Sequence, residues 1–298
     1  MKRWIWILLG ALVFVALALG HRAWKQHEFF LPESLFSRFP AEEASALSVD
    51  VATLRKAGLL AGSKDPLEPE YKAFLESTGF DYRRDLDSLA ASFSKSGNYF
   101  IARGRFDFDK LRTYAIRQGG TCFESLCRMQ GSQPDRHISF LPLREDALAL
   151  AVAPDDLAAS RLSKTGTPVS ARLPDSPVWF SVPGALLRQP GSVPPGVRFM
   201  LSALTNADRV LITVGPGGSG IEAHLETTCH SPDEAKLLAS QLRSTVAVLK
   251  DEMPRNQEIR DDDLARTLAA GVFEQAGSRV TGRWPISKNL IDSLTAGI

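Results

Sequence analysis

The sequence predicts an α+β fold: an N-terminal transmembrane helix, then two similar domains, each an antiparallel sheet with helices. Three observations lead to this fold class. They are an apolar run at the N-terminus, pairs of alternating segments that read as hairpins, and a similar order of elements in both halves of the 298-residue chain. Helices packed on antiparallel hairpins bury the apolar faces of such segments. A chain of this length can form one large core or two modest ones.

The N-terminal run, residues 4–20, contains no charged residue. Its length is at the short end of what crosses a membrane, so it predicts either a retained anchor or a cleaved secretory peptide with a cleavage site near Gly20. We favour retention, because tryptophans flank the run as they do at membrane interfaces: Trp4, Trp6 and Trp24. The flanking basic residues place the N-terminus inside. The expected location is therefore the inner membrane, with the bulk of the chain in the periplasm or another extracytoplasmic space; the alternative is a cytoplasmic domain on an anchor.

Elements recur in the same order in the two halves. We predict an anchor or signal sequence over residues 1–25, a Phe-rich irregular connector over 26–42, a first α+β repeat over 43–165 and a second over 175–298. Val51 and Val182 are as far apart as Pro154 and Pro285, whereas the predicted helix caps Asp107 and Ser231 are closer. A repeat of this length indicates a duplicated domain rather than a solenoid. The alternative is a chance match of two α+β stretches.

In the first repeat, alternation predicts strands, and capping residues mark the helices. Asp65 and Asp107 are candidate N-caps, and Gly119 and Gly120 end the second of these helices. Pro154 is expected to open a helix to Leu162. The predicted strands are Ala46–Val51, Leu89–Phe93, Tyr99–Gly104, Thr121–Arg128, His137–Leu143 and Ala147–Val152.

In the second repeat, Ser231 is a strong helix start, because Pro232 follows it and Glu234 completes a capping box. Asp261 to Asp263 cap a further helix, and Pro285 is expected to open a final one. Short helices are expected at Gly184–Leu187 and Val197–Leu204. The predicted strands are Val178–Val182, Arg209–Val214, Ile221–Thr227, Val272–Glu274 and Arg279–Arg283.

The chain has three cysteines. Cys122 and Cys127 are close enough in sequence to form a disulfide in an oxidising compartment; the alternative is two unpaired thiols in a strand. Cys229 is the odd cysteine and reads as a small buried hydrophobe.

Two motifs resemble catalytic or nucleotide-binding signatures but lie in the wrong context. Residues 215–220 match the glycine pattern of dinucleotide sites, yet a strand rather than a helix follows, which predicts a hairpin turn. Ser92 and Lys95, with Lys164 to Gly166, match motifs of penicillin-binding proteins, whose serine begins a helix. Here Ser92 ends a predicted strand, so we assign no catalytic residue.

The metal-binding potential of the sequence is low. His224, Glu226, Cys229 and His230 form the one cluster of candidate ligands, and the spacing of the first two puts them on one strand face. Nothing else completes the coordination, so a solvated strand face is the preferred interpretation. No metal or cofactor is expected.

Gly79 to Leu86 precede a predicted hairpin, and Arg103 to Asp107 lead into a helix. In these segments, with the anchor and the duplicated domain, the chain resembles uncharacterised bacterial envelope proteins that carry a domain of unknown function. The resemblance covers about residues 43–298. It implies the architecture and transfers no site or activity.

The charge is nearly balanced, with 35 Lys+Arg against 34 Asp+Glu, which argues against a nucleic-acid partner. The function expected first is a non-enzymatic, membrane-anchored envelope protein that binds a partner protein or acts as a scaffold, through its sheet faces or the groove between the repeats. The alternatives are a carrier of a lipid or hydrophobic ligand, using the Phe-rich connector and a cavity between sheet and helices, and a serine hydrolase acting through Ser92.

Overall fold

A computed structural model of the chain describes residues 29–60, 69–166, 173–188, 204–218, 220–255, 263–287 and 290. The predicted anchor over residues 4–20, the cap Asp65 and the expected helix start at Asp261 lie outside these ranges. Most of the expected helix Val197–Leu204 also lies outside them. Within the described ranges, no helix is both long and apolar enough to cross a membrane.

The strands within the described ranges form one continuous antiparallel sheet of twelve strands. Its spatial order is β11-β12-β10-β9-β8-β1-β2-β3-β7-β6-β5-β4. In chain order the strands are β1 Ser45–Asp50, β2 Leu86–Phe93, β3 Asn98–Gly104, β4 Thr121–Phe123, β5 Leu126–Gln130, β6 His137–Arg144, β7 Ala147–Ala153, β8 Val178–Pro183, β9 Ala207–Gly217, β10 Gly220–Cys229, β11 Val272–Ala276 and β12 Arg279–Ile286. The expected α+β class and the expected hairpins β2–β3 and β9–β10 are confirmed, whereas the expected strand Thr121–Arg128 is divided by a turn into β4 and β5.

Helices connect the strands along the chain and pack on the sheet. They are α1 Pro32–Phe36, α2 Val51–Lys56, α3 Pro69–Thr78, α4 Tyr82–Asp85, α5 Phe108–Arg117, a 3₁₀ helix Ala158–Ser163, α6 Gly184–Leu187, α7 Pro232–Glu252 and α8 Asp263–Ala269. The caps act as the sequence predicted. The side chain of Asp107 accepts from the Lys110 N–H, and that of Ser231 accepts from the Glu234 N–H.

The two halves of the chain meet at the centre of the sheet, where β1 pairs with β8. On either side of this pair lies a hairpin, β2–β3 in the first half and β9–β10 in the second. Beyond the hairpins follow β7 and β6 on one side, and β12 and β11 on the other. The first half adds the β4–β5 hairpin at its outer edge. The sheet thus runs through both predicted repeats without a break.

One face of the sheet, which we call the helical face, carries two apolar clusters under the longer helices. In the first half, Leu111 of α5 packs over Leu148 and Phe140. In the second half, α7 packs over β9, β10 and β12. The helix contributes Leu238, Leu242 and Val246, and the strands contribute Val210, Leu225 and Val280. Burial of this apolar surface is the main stabilising term at about 25 cal/mol per Å².

We call the opposite face the groove face. In the first half it is covered by α1 and the 3₁₀ helix, because the alternate alanines of β7, Ala149, Ala151 and Ala153, leave room for close packing. Leu35 and Phe39, from the Phe-rich connector, are buried in this cluster. The connector is therefore partly helical. In the second half, exposed polar side chains occupy the same face.

The expected helix start at Pro285 is wrong. Pro285 lies inside β12, opposite Glu222 of β10, whereas Pro154 follows the end of β7. Proline has no backbone N–H to donate. It is tolerated here because the pairing of β12 with β11 ends at Arg283, opposite Val272, so no strand lies beside Pro285 on the side away from β10. The equal spacing of the two prolines therefore does not mark equivalent positions.

Candidate functional site

A groove of about 580 Å³ lies on the groove face where the two halves meet. We call it the central groove. One wall is α1 with the preceding Phe30, and the other is residues 173–177, which we call the linker segment. Its floor consists of residues of β1, β2 and β8. This volume is within the range of pockets that hold small-molecule ligands.

Strand register explains the shape of the floor. Ser48 lies opposite Trp179 on one side and Ala90 on the other, so the three side chains form a row across β8, β1 and β2. Trp179 is 2% exposed. Ala90 is likewise 2% exposed, and the ring of Phe36 packs on Trp179, so of the three side chains only Ser48 is partly exposed at the floor. The tryptophan therefore supports the floor from beneath, and the groove is lined by polar as well as apolar atoms.

The walls add further aromatic groups. The ring of Phe36 lies 4.9 Å from the ring of Trp179, and Leu35 beside it is buried. Phe30 borders the groove, with the guanidinium of Arg103 at 4.2 Å from the ring centroid. A cation over an aromatic face stabilises both groups, so Arg103 holds this wall in place.

The mouth of the groove is polar. The next row of the sheet places Asp50 opposite Ser88 and Ser88 opposite Arg103. Lys56 of α2 and Asp175 of the linker segment also line the groove. The groove is therefore lined by both apolar side chains and charged groups.

Backbone contacts fix the walls relative to the floor. Asp50 accepts from the backbone N–H and the hydroxyl of Thr53 at 2.9 and 2.7 Å, and so caps α2. Its own N–H donates to the Pro177 carbonyl at 2.6 Å. The Ser176 hydroxyl donates to the carbonyls of Val178 and Val214. The linker segment is thus attached to both β8 and β9.

A second pocket of about 530 Å³ lies across the linker segment from the central groove. We call it the lateral pocket. Its lining is mostly polar, with Arg209, Thr213 and Glu226 from β9 and β10. Arg209 Nε donates to the Ser181 hydroxyl at 3.0 Å, and Glu226 lies 3.9 Å from Arg279.

The two segments that carried the family resemblance meet around Asp85, while Arg103 of the second segment borders the central groove. Asp85 is buried and accepts from Arg84 Nη2 at 2.9 Å, from the Asp81 N–H at 3.0 Å and from Arg105 Nη2 at 3.1 Å. The Arg84 guanidinium, with the Asp81 N–H and Arg105, holds the pKa of Asp85 well below its usual range. Nearby, burial raises the pKa of Tyr71 to about 12.

The structure separates the other predicted motifs. Ser92 is buried within β2, and Lys95 lies in the turn after that strand, as the sequence indicated. Gly217 faces Gly220 across the β9–β10 turn, so the glycine-rich segment is a hairpin turn.

The candidate metal ligands do not converge. His224 lies 3.4 Å from Glu222, and His230 pairs with Asp208. Cys229 is buried in the core under α7, where burial raises its thiol pKa. In the described part of the chain, no three His, Cys, Asp or Glu residues are grouped to hold a metal ion.

Cys122 and Cys127 face each other across the β4–β5 hairpin with their sulfurs bonded, and their Cα atoms are 4.0 Å apart. In the turn between them, Glu124 adopts a φ of 51°. The neighbouring Phe123 is 80% exposed. The hairpin lies at the outer edge of the sheet, away from the central groove.

Sequence reasoning did not single out the groove residues Ser48, Trp179, Arg103 and Asp175. One signal was present: the alternation of β8 places Trp179 and Ser181 on the same face, beside a connector rich in phenylalanine. The pairing of β8 with β1 was missing from the prediction, and it is this pairing that brings the groove together.

No protein-family model matches the chain, and no curated protein matches it. Similar solved structures include three crystal forms of TP0453. Form III has a TM-score of 0.48 at 11% identity and covers 88% of this chain and 97% of that chain. Form I has a TM-score of 0.46 at 10% identity, with the same coverage. Form IV has a TM-score of 0.44 at 10% identity and covers 87% and 95%. These are distant likenesses, and they assign no function to this chain.

Proposed function

We propose that the protein is a membrane-anchored component of a bacterial cell envelope that binds an amphiphilic, lipid-class ligand in the central groove. The observation that carries this proposal is the groove itself, which is bordered by Phe30 and Phe36 of the connector and by charged groups such as Lys56 and Asp175. Of the functions expected from the sequence, ligand carriage is the one that requires a cavity between the sheet and the Phe-rich connector. Phe30 and Phe36 come from that connector.

The proposed location rests on the N-terminal sequence. The uncharged run over residues 4–20, with tryptophans at both ends, supports a retained single-pass anchor at the inner membrane. Phe29 and Phe30 follow this run closely, so the groove lies within reach of the membrane surface. The bulk of the chain is then extracytoplasmic.

We also propose that the two halves arose by duplication. The order of elements supports this: β1 and β8 are each followed directly by a short helix and later by a hairpin and a helix capped by Asp107 or Ser231, although the first half also has α3 and α4 before its hairpin. In this interpretation the central groove lies between two related units, each preceded by a segment that crosses the groove face.

Mass spectrometry of organic extracts tests the proposed ligand. The full chain purified from membranes is compared with Ser48→Phe, which fills the floor of the groove, and with Thr281→Phe, an exposed change on the same face of the sheet. We expect a lipid to co-purify with the wild type and Thr281→Phe and to be depleted from Ser48→Phe. Equal lipid content in all three proteins would contradict the proposal.

A second candidate is docking of a partner protein, the function expected first from the sequence. The specific observation in its favour is the polar lateral pocket beside the central groove, together with exposed charges on the groove face such as Arg209 and Glu226. Affinity purification from crosslinked membranes tests it. A specific partner lost in Arg209→Glu but retained in Arg243→Glu, on exposed α7, would favour docking, and no partner above background would contradict it.

A further inference from the structure

Two arginines lie side by side at the end of the sheet where the described chain begins. Arg103 of β3 and Arg144 of β6 both lie opposite Ala147 of β7, so they flank this small residue on the groove face. Since neighbouring strands are about 4.8 Å apart, the Cα atoms of the two arginines are separated by about 10 Å. Side chains as long as arginine can therefore contact one common ligand surface from these positions.

Two phenylalanines hold both arginines in place. The guanidinium of Arg103 lies 4.2 Å from the ring centroid of Phe30. The guanidinium of Arg144 lies 5.2 Å from the ring centroid of Phe29 and 5.9 Å from that of Phe30. The two rings contact each other edge to face at 4.9 Å. A guanidinium over a ring contacts it through its flat side, so these contacts fix the arginines and leave their N–H donors unused.

In the described part of the chain, the terminal Nη groups of both arginines have no acceptor. Both guanidinium groups share the carboxylate of Asp146, which lies 3.8 Å from Nε of Arg103 and 3.6 Å from Nε of Arg144. Neither distance is short enough for a hydrogen bond. Glu145, in the same turn, is exposed and forms an ion pair with neither arginine. Two guanidinium groups thus share one carboxylate and can still donate to phosphate oxygens.

Apolar side chains lie in the same segment of the connector as the two phenylalanines. Leu31 precedes α1 and is 40% exposed, and Phe29 and Phe30 are half-buried. Leucine and phenylalanine beside arginine are typical of surfaces that lie at the boundary between lipid headgroups and acyl chains, where the apolar groups enter the bilayer and the guanidinium groups stay among the phosphates.

The length of chain before Phe29 keeps this end of the sheet close to the membrane. Residues 21–28 join the end of the predicted anchor at Gly20 to Phe29. Whatever their conformation, eight residues span at most about 29 Å. The sheet of twelve strands is about 50 Å wide, so its outer hairpins can lie far from the bilayer while the arginine pair cannot.

We infer that Arg103, Arg144 and Leu31 dock this end of the domain on the extracytoplasmic surface of the membrane, where the two arginines bind lipid phosphates. The inference rests on the anchor in the proposed function and does not require a ligand in the central groove. The Nη groups donate to phosphate oxygens, and Leu31 enters the headgroup region. Because Arg103 also borders the central groove, docking places that groove at the membrane surface.

Arginine footprinting tests the inference with the full chain. The protein is compared in dodecyl maltoside and in nanodiscs of phosphatidylglycerol and phosphatidylcholine, and the probe is p-hydroxyphenylglyoxal, which modifies accessible guanidinium groups. Peptide mapping gives the rate of modification at each arginine. We expect Arg103 and Arg144 to react about tenfold more slowly in nanodiscs than in detergent, as two arginines at an anionic surface supply. Arg243, exposed on α7, should react at the same rate in both.

Two exposed leucines supply the matched variants. Leu31→Glu places a carboxylate where the inference puts an apolar contact with the headgroup region, so most of the protection of Arg103 and Arg144 should be lost. Leu237→Glu makes the same change on α7, where the leucine is 56% exposed, and should leave the protection unchanged. Because both positions are exposed, both variants are expected to fold as the wild type does.

The outcomes separate the inference from the proposed function. If the nanodiscs do not retain the chain, the proposed anchor is wrong and the inference falls with it. If the nanodiscs retain the chain but Arg103 and Arg144 react as fast as in detergent, docking is wrong while the anchor stands. Equal protection by inorganic phosphate in detergent would also overturn the inference, since the pair would then bind a free anion rather than the membrane surface.

Discussion

The ring of Phe36 lies 4.9 Å from the ring of Trp179, with an angle of 34° between their planes. The first belongs to a helix at the N-terminal end of the described chain and the second to β8, at the start of the second half. This contact attaches the Phe-rich connector to the centre of the sheet. Phe36 belongs to one wall of the central groove and Trp179 to its floor, so the contact joins the wall to the floor.

Phe36→Ala should destabilise the fold by about 1–3 kcal/mol, because it removes a half-buried ring from the contact with Trp179. Urea denaturation followed by circular dichroism measures the change. Phe123→Ala is the matched control, since that ring is 80% exposed, and it should change the free energy of unfolding by less than about 0.5 kcal/mol. Equal effects of the two substitutions would show that α1 is not packed on the sheet.

Asp85→Asn should destabilise the protein by about 1–3 kcal/mol at neutral pH, since it weakens the hydrogen bonds from Arg84 and Arg105 to a buried carboxylate. The arginines themselves are mostly exposed, so they can be solvated again after the substitution. The measurement is the free energy of unfolding in urea, with Asp251→Asn on the surface of α7 as the control, for which we expect no change.

The effect of Asp85 should also depend on pH. Its pKa is depressed in the folded state, so its stabilising contribution is complete above the unfolded pKa of about 4 and is lost as the pH falls toward the folded value. The difference in unfolding free energy between wild type and Asp85→Asn should therefore be constant from pH 6 to 8 and shrink below about pH 4. A difference that grows on acidification would contradict this assignment.

Ser231→Ala should cost about 1 kcal/mol, because the Ser231 hydroxyl accepts from the Glu234 N–H at the start of α7. Ser231→Asp should retain most of the stability, since aspartate is also a good N-cap. Ser240→Ala, at an exposed position within the same helix, provides the control and should be neutral or slightly stabilising. Thermal unfolding of the three variants measures these effects.

Thiol titration should find one reactive cysteine, and only after denaturation. Cys122 and Cys127 are joined across the hairpin, and Cys229 is buried. Replacing both hairpin cysteines by serine should lower stability by up to about 2 kcal/mol, as expected for opening so short a loop. Three thiols in the protein extracted from membranes under alkylating conditions would be inconsistent with export to an oxidising compartment.

The local elements were predictable from the sequence because each depends on neighbouring residues. Alternation over Arg209–Val214 and Ile221–Thr227 is sufficient to identify the β9–β10 hairpin, and Ser231 and Asp107 mark their helices through contacts three residues away. The expected hairpin turn at the glycine-rich segment and the buried state of Cys229 also follow from local pattern.

The groove was not predictable in the same way, because it depends on contacts between distant parts of the chain. Ser48 and Trp179 meet only because β1 pairs with β8, and no local periodicity specifies that pairing. Pro285 was misread for a related reason. A proline is a good helix start when only the local sequence is considered. Pro285 fits in a strand because β11 ends before it and no neighbouring strand requires its missing N–H, which the local sequence does not show.

The most direct test of the account is photocrosslinking of the full chain with a diazirine-bearing lysophospholipid, followed by peptide mapping. The account predicts adducts on Phe30 and Phe36, reduced in Ser48→Phe and unchanged in Thr281→Phe. Adducts confined to residues 4–20, or spread over the exposed helices without regard to the Ser48→Phe substitution, would contradict it.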